Sequence, residues 1–192
     1  MTTTIAEQNK HSAYQIVESH EVAEKHTIAV LVDNEFGVLA RVIGLFASRG
    51  YNIESLTVSE VDHEKSRSRI TIITHGTSSI IIQIKTLLER LIPIYEVRDL
   101  TVESPHIERE VGLIKVVTGE DDETRQAAQK LADRFGARTI DSTAKSFIFE
   151  LSDIPEKLDK FIMLMRPLGV KEICRTGVTA ISRGSEGMEK SA

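Results

Sequence analysis

IAVLVDNEFGVLARVIGLFASRGYN, residues 28 to 52, is the stretch whose reading decides the fold of this chain. Ile28, Val30 and Val32 alternate, which predicts a strand with one face buried. Asp33, Asn34, Glu35 and Phe36 then lead to Gly37. After it Leu39, Val42, Ile43 and Phe46 recur at helical spacing, and Arg49-Gly50 supplies a C-terminal stop. A strand, a short polar loop and a helix in succession aim unpaired backbone N–H groups and the positive end of the helix dipole at the space before the loop. That arrangement suits a small anion such as a carboxylate. A plainer explanation stands beside it: an Asn-containing turn with Gly37 admitting the chain to the helix needs no ligand.

Outward from this stretch the elements alternate. A strand over 26–33 and a helix over 37–49 are followed by a strand from Tyr51 to Glu60 carrying Ile53, Leu56 and Val58. The polar turn Asp62-His63-Glu64-Lys65 joins it as a hairpin to Arg67–His75. Ile80, Ile84, Leu87, Leu88 and Leu91 mark a helix with Ser78 or Ser79 as N-cap, although the isoleucines also fit a strand; loop length favours the helix. Pro93 stops it, and Ile94–Val102 forms a further strand. The order is βαββαβ, and after a linker at Glu103-Ser104-Pro105-His106 a comparable order begins again.

The second unit predicts a strand at Val111–Thr118, a helix at Asp121–Phe135 ended by Gly136, a short strand at Thr139-Ile140 and another at Lys145–Leu151. Asp153 is the expected N-cap of a helix carrying Ile154, Leu158, Phe161, Ile162 and Met165, and Val170–Ile181 closes the unit. The fold class is therefore α+β, two tandem ferredoxin-like βαββαβ domains at 26–103 and 108–184. Polar residues 1–25 are expected to form a flexible arm, and 185–192 a frayed tail. Domains this small bury only about 60% of their unfolded surface, so a homodimer or higher homo-oligomer is expected.

Composition narrows the function. Hydrophobic residues at 41% and charged residues at 28% can build a core. A net charge of -5 offers no broad basic field, so neither nucleic acid nor an anionic membrane surface is an expected partner. One cysteine, Cys174, no export signal and no long apolar run lead to the expectation of a cytoplasmic protein. Cys174 itself reads as a small buried hydrophobe. No G-x-G-x-x-G, P-loop, G-x-S-x-G or H-E-x-x-H motif occurs, and the six histidines never pair at a metal-ligand spacing on one element. Neither a catalytic residue nor a metal site is expected. Phe147 and Phe149 alternate on one strand as in an RNA-binding sheet, but the companion glycines are missing and core packing explains them better.

HTIAVLVDNEFGVLARVIGLFASRGYNIESLTV, residues 26 to 58, closely resembles the first domain of the small, regulatory subunit of acetohydroxyacid (acetolactate) synthase, an amino-acid-sensing domain of the ACT type. Asn34 and Gly37 in the loop, Arg41–Phe46 in the helix and Arg49–Val58 beyond it carry the match, which continues through Arg69-Ile70-Thr71-Ile72 and His106–Glu110 and weakens toward Ser182-Arg183-Gly184. The resemblance implies a non-catalytic subunit that activates a large catalytic subunit and confers feedback inhibition by valine or a related branched-chain amino acid. It implies no cofactor on this chain, with thiamine diphosphate, Mg and FAD on the catalytic partner. It carries over Asn34, Gly37 and Asn52 as an effector site between two ACT domains of a dimer. The amides near Gly37 and Val38 would take the carboxylate, the two asparagines the ammonium, and Leu31 or Val38 would line the side-chain pocket. The alternative of another class is a free-standing amino-acid-sensing module acting on a different enzyme or regulator.

Overall fold

The alternation at Ile28, Val30 and Val32 becomes a strand, β1 (Glu24–Asp33), at the heart of the first of two sheets. The computed structural model describes residues 22–188; the expected N-terminal arm lies mostly outside them, as do residues 189–192 of the expected tail. After β1 come α1 (Val38–Arg49), β2 (Ser55–Asp62), β3 (Arg67–Gly76), α2 (Ser78–Glu89) and β4 (Ile94–Asp99). Their sheet has the antiparallel order β2-β3-β1-β4. Val38, Val42 and Phe46 of α1 and Ile81, Ile84 and Leu88 of α2 pack on Ile28, Val30, Val32, Ile70, Ile72 and Val97, the inward side of the pleat. Three boundaries differ from expectation. Tyr51–Glu54 form a loop before β2; Thr77 caps α2 by accepting from the Ile80 amide; and Leu100–Glu103 turn into a single helical turn, α3, because Asp99 accepts from Thr101 N.

The second unit repeats the plan. β5 (His106–Val117), α4 (Asp122–Phe135), β6 (Arg138–Ser142), β7 (Ser146–Asp153), α5 (Pro155–Met165) and β8 (Val170–Arg175) give the order β6-β7-β5-β8. Two tandem ferredoxin-like units are thus present. Phe147 and Phe149 are 5% and 0% exposed, among Leu158, Phe161 and Met165, so they serve the core and offer no platform for bases. Asp153 stands one place before the N-cap of α5, where it accepts from the Ile154 amide and pairs with Lys157. Cys174 is exposed, contrary to expectation: its inward neighbour Ile173 packs on the core, so the pleat turns Cys174 to the helix-free face.

The expected closing strand 170–181 is broken at Thr176-Gly177, and its second part, β9 (Thr179–Ser182), leaves the edge of the sheet to pair with the first residues of β5. This β5–β9 ribbon lies over the helix-free face of the first sheet. Ala180 and Met188 meet Ala29, Leu31 and Leu100 there, so Met188, placed in the frayed tail by sequence, is only 8% exposed. β1 is consequently buried on both faces: every residue from His26 to Val32 is 5% exposed or less, where alternation alone predicts one wet face. Polar bonds complete the seam. Val178 N donates to Ser55 Oγ at 2.8 Å, Thr57 Oγ1 donates to Val178 O at 2.9 Å, and Arg69 Nη2 donates to Ala180 O at 2.7 Å.

Gly177 permits this approach. Its φ is +82°, and an added Cβ would stand 2.9 Å from Ser55 Oγ and 3.0 Å from Thr57 Cγ2. Gly177→Ala is expected to destabilise the chain by about 1 to 3 kcal/mol, read as a lower urea midpoint. Glu108 supplies a second test. It accepts from Thr27 Oγ1 and from Lys25 Nζ at 3.0 Å, tying β5 to β1. Burial pushes its carboxyl up, but the bonds from Thr27, Lys25 and His106 outweigh that and hold it below the ordinary glutamate value. A depressed folded pKa contributes stability that is complete above the unfolded pKa and is lost as pH falls through the folded one. Glu108→Gln should therefore be clearly less stable than the parent at pH 7, and the gap should narrow below about pH 4.

Candidate functional site

The loop between β1 and α1 is built by what surrounds it. Asp33 N donates to Pro93 O at 3.1 Å and Asn34 N to Ser66 O at 2.6 Å, which ends β1 and turns the chain outward. Gly37 enters the helix at φ +84°, and α1 begins with no side-chain cap. Asn34, Glu35, Phe36 and Gly37 are exposed, so the start of α1 faces solvent, and the Val38 amide donates back to Glu35 O through a long bond of 3.4 Å. No acidic residue sits in that turn, so nothing within the helix answers the positive end of its dipole.

Arg41, one turn into the helix, braces the loop. Its Nη2 donates to Glu35 Oε1 at 2.9 Å and to Phe36 O at 3.4 Å, while Nη1 donates to Ile92 O. Below, Tyr95 donates its hydroxyl to Asp33 Oδ1 at 2.6 Å and lies under the Arg67 guanidinium at 4.2 Å. The bond to Asp33 raises the Tyr95 pKa, with burial and the Asp33 charge adding to it. Sequence reasoning met Arg41 only within the family-like helix stretch. Its bracing role depends on Ile92, fifty-one positions away, for which local pattern holds no signal.

The residues expected at the effector site fall in three places. Asn34, Gly37 and the amide of Val38 share the loop, although the Val38 side chain, 8% exposed, belongs to the core. Asn52 lies at the other end of α1, its carbonyl accepting from Thr74 Oγ1 at 2.6 Å. β3 measures the gap: Arg67 pairs with Asp33 at one end and Thr74 with His26 at the other, so loop and Asn52 are about 20 Å apart within one chain. Leu31 is not brought to the site. It points to the opposite face of the sheet, 5% exposed beneath Ala180 and Met188, because it alternates with Val30 and Val32, which pack toward α1.

Among the described residues no group of three or more His, Cys, Asp or Glu side chains is placed to hold a metal ion. Nor is any helix of the described residues long and apolar enough to cross a membrane. At the equivalent corner of the second unit, α4 starts behind Gly119-Glu120-Asp121-Asp122, and Asp121 caps the helix through the amides of Glu123 and Thr124. Those donors are spent, and the local charge repels an anion.

Comparison with known proteins bears on both units of the fold. Residues 28–96 match the AHAS small subunit-like ACT domain, and residues 109–184 match the family described as small subunit of acetolactate synthase. A probable acetolactate synthase small subunit from Archaeoglobus fulgidus is 44% identical over 162 residues, covering 84% of this chain and 99% of the relative. The small subunit of Escherichia coli isozyme 3 is 37% identical over 165 residues, covering 85% of this chain and 99% of its own. Among solved structures, the acetolactate synthase small subunit of Thermotoga maritima superposes with a TM-score of 0.76 at 34% identity, covering 85% of this chain and 99% of that one. Both halves of the chain and their arrangement thus point one way: the chain belongs to the family of acetolactate synthase small subunits.

Proposed function

We propose that this chain is the regulatory subunit of an acetolactate synthase, activating a separate thiamine-diphosphate-dependent catalytic subunit and conferring feedback inhibition by valine or a related branched-chain amino acid. Membership of the small-subunit family supports the first part. One observation carries the effector site: α1 starts uncapped at the exposed Gly37, with Asn34 beside it, while Asn52 stands at the far end of the same helix. An effector a few ångströms long cannot touch both ends of one α1. Two copies packed with their α1 helices antiparallel bring Asn34 and Gly37 of one against Asn52 of the other, and the two-fold axis makes a pair of equivalent sites. The amides at Gly37 and Val38 then take the carboxylate and the asparagine oxygens the ammonium. Leu31, on the other side of the sheet, has no part in it. The cofactors of the holoenzyme, thiamine diphosphate with Mg and FAD, belong in this reading to the catalytic subunit.

Inhibition at a distance requires that the bound effector favour one arrangement of the complex over another. The assay is direct. Mixing the chain with the catalytic subunit is expected to raise acetolactate production, and valine to lower it again; a mixture no faster than the catalytic subunit alone would overturn the regulatory reading. For the site, Asn52→Ala removes one charge-assisted bond of about 1.5 to 3 kcal/mol and should weaken valine binding roughly ten- to a hundredfold in calorimetry, with activation retained. Gly37→Asp should abolish it. An added Cβ there meets nothing closer than Arg41 Nη2 at 3.9 Å, so the loss comes from the positive φ and from a carboxylate set against the effector's own. Unchanged valine affinity in both variants would remove the site from the loop.

A further inference from the structure

The β5–β9 ribbon does not cover the whole helix-free face of the first sheet. Toward β2 a cleft of about 690 Å³ remains open, lined by the buried Leu31 and Met188, the exposed Val61 and Ile181, and Arg69 and Arg109. It lies on the side of the sheet away from α1, and neither the fold nor the proposed effector site uses it.

Arg69 is its unusual feature. Nη2 donates to Ala180 O, but Nε is buried and has no hydrogen-bond partner among the described residues. Burial lowers its pKa, the neighbouring Arg98 lowers it further, and Glu96 opposes both. Glu96 is already paired with Arg98. The one carboxylate on the cleft wall, Asp62, is engaged by Lys65, whose amide donates to it at 3.0 Å and whose Nζ stands at 3.7 Å. Arg109, exposed, spends Nη1 on Glu108 O. A partly buried cation therefore lines a cleft whose one acidic side chain among the described lining residues is already engaged; Nε is sealed from the cleft, which meets the charge of the guanidinium and not that donor.

The remaining walls ask for something apolar. Val61 is 54% exposed and Ile181 61% exposed, one on each side of the opening. An inorganic anion would satisfy Arg69 and leave these two side chains in water; a neutral hydrocarbon would do the reverse. The volume falls in the range of about 300 to 1,000 Å³ common to small-molecule sites and exceeds what a single amino acid needs. We propose that this cleft is a binding site for an organic carboxylate with an extended apolar body, of the medium-chain class, its carboxylate on Arg69 with Arg109 at the mouth and its chain along Val61 and Ile181. The site is independent of the effector loop and stands whether or not valine binds there.

Sodium octanoate is a suitable probe, titrated into the full chain by calorimetry with octylammonium chloride as the control of opposite charge. One octanoate per chain is expected to bind, and octylammonium at least about tenfold more weakly, because the guanidinium groups repel it. Arg69→Gln keeps a donor for Ala180 O but loses the charge, and should weaken octanoate at least about tenfold. Should that variant unsettle the seam, Ile181→Glu answers the same question from an exposed position: it should weaken octanoate comparably with an unchanged urea midpoint. Gly37→Asp should bind octanoate like the parent. The proposal is overturned by no octanoate binding at millimolar concentration, by equal binding of octylammonium, by octanoate affinity unchanged in both cleft variants, or by its loss in Gly37→Asp.

Discussion

Everything in this molecule hangs on a strand buried from both sides. Ile28, Val30 and Val32 meet α1 and α2, while Ala29 and Leu31 meet Ala180 of the β5–β9 ribbon and Met188 beyond it. A ferredoxin-like sheet normally leaves one face to solvent, and each side chain the size of leucine covered there contributes about 1.5 to 3 kcal/mol. The second unit closes the first unit's sheet, and a short, Gly-hinged excursion of its last strand does so. Small residues at Ala29 and Ala180 and the absent side chain at Gly177 let the backbones approach. Val178 N, Val178 O and Ala180 O, trapped in the contact, are paired by Ser55, Thr57 and Arg69.

This double burial bears on the placing of functional residues. With part of the helix-free face covered by the ribbon, the loop before α1 and the outer surface of α1 stay open on the other side. Ile43, on the same helix as Val42 and Phe46, is 40% exposed, and Phe36 at the loop tip is wholly exposed. Apolar surface beside uncapped amides is what a contact with a second copy would use, and the distance from the loop to Asn52 gives that contact a reason to exist. The two units also differ here: Asp121 caps α4 through its carboxylate, while α1 has no side-chain cap.

Much of this was legible in the sequence, for identifiable reasons. Alternation in β1 and β3, helical spacing in α1, α4 and α5, and glycines at helix ends are local signals, and they placed the elements of both units in order. What misled were features decided by partners far along the chain. Thr27, Ala29 and Leu31 cannot be seen to be covered without knowing that residues 179–182 fold back over them. For the same reason Leu31 passed as a pocket residue and Met188 as part of a loose tail. Cys174 reads as a small buried hydrophobe, yet one step of pleat from the inward Ile173 puts it outside. At the loop, residue types gave Asn34 and Gly37; Arg41's grip on Ile92 and the gap to Asn52 needed the fold.

The position of the loop also limits how a signal could leave it. Asp33 ends β1, and two residues back Leu31 lies under Ala180 and Met188, so the proposed effector loop and the seam are joined by a single, fully buried strand. Interiors packed at this density shift as units and do not deform gradually. A ligand that moved α1 relative to β1 would have to be accommodated either at the interface between copies or at the seam. In the proposed dimer the interface would be the softer of the two, since the side chains of Ser55, Thr57 and Arg69 bond the backbone of residues 178–180 at the seam while α1 exposes Ile43. On the reading proposed above, regulation through this chain would turn on how two copies sit against each other.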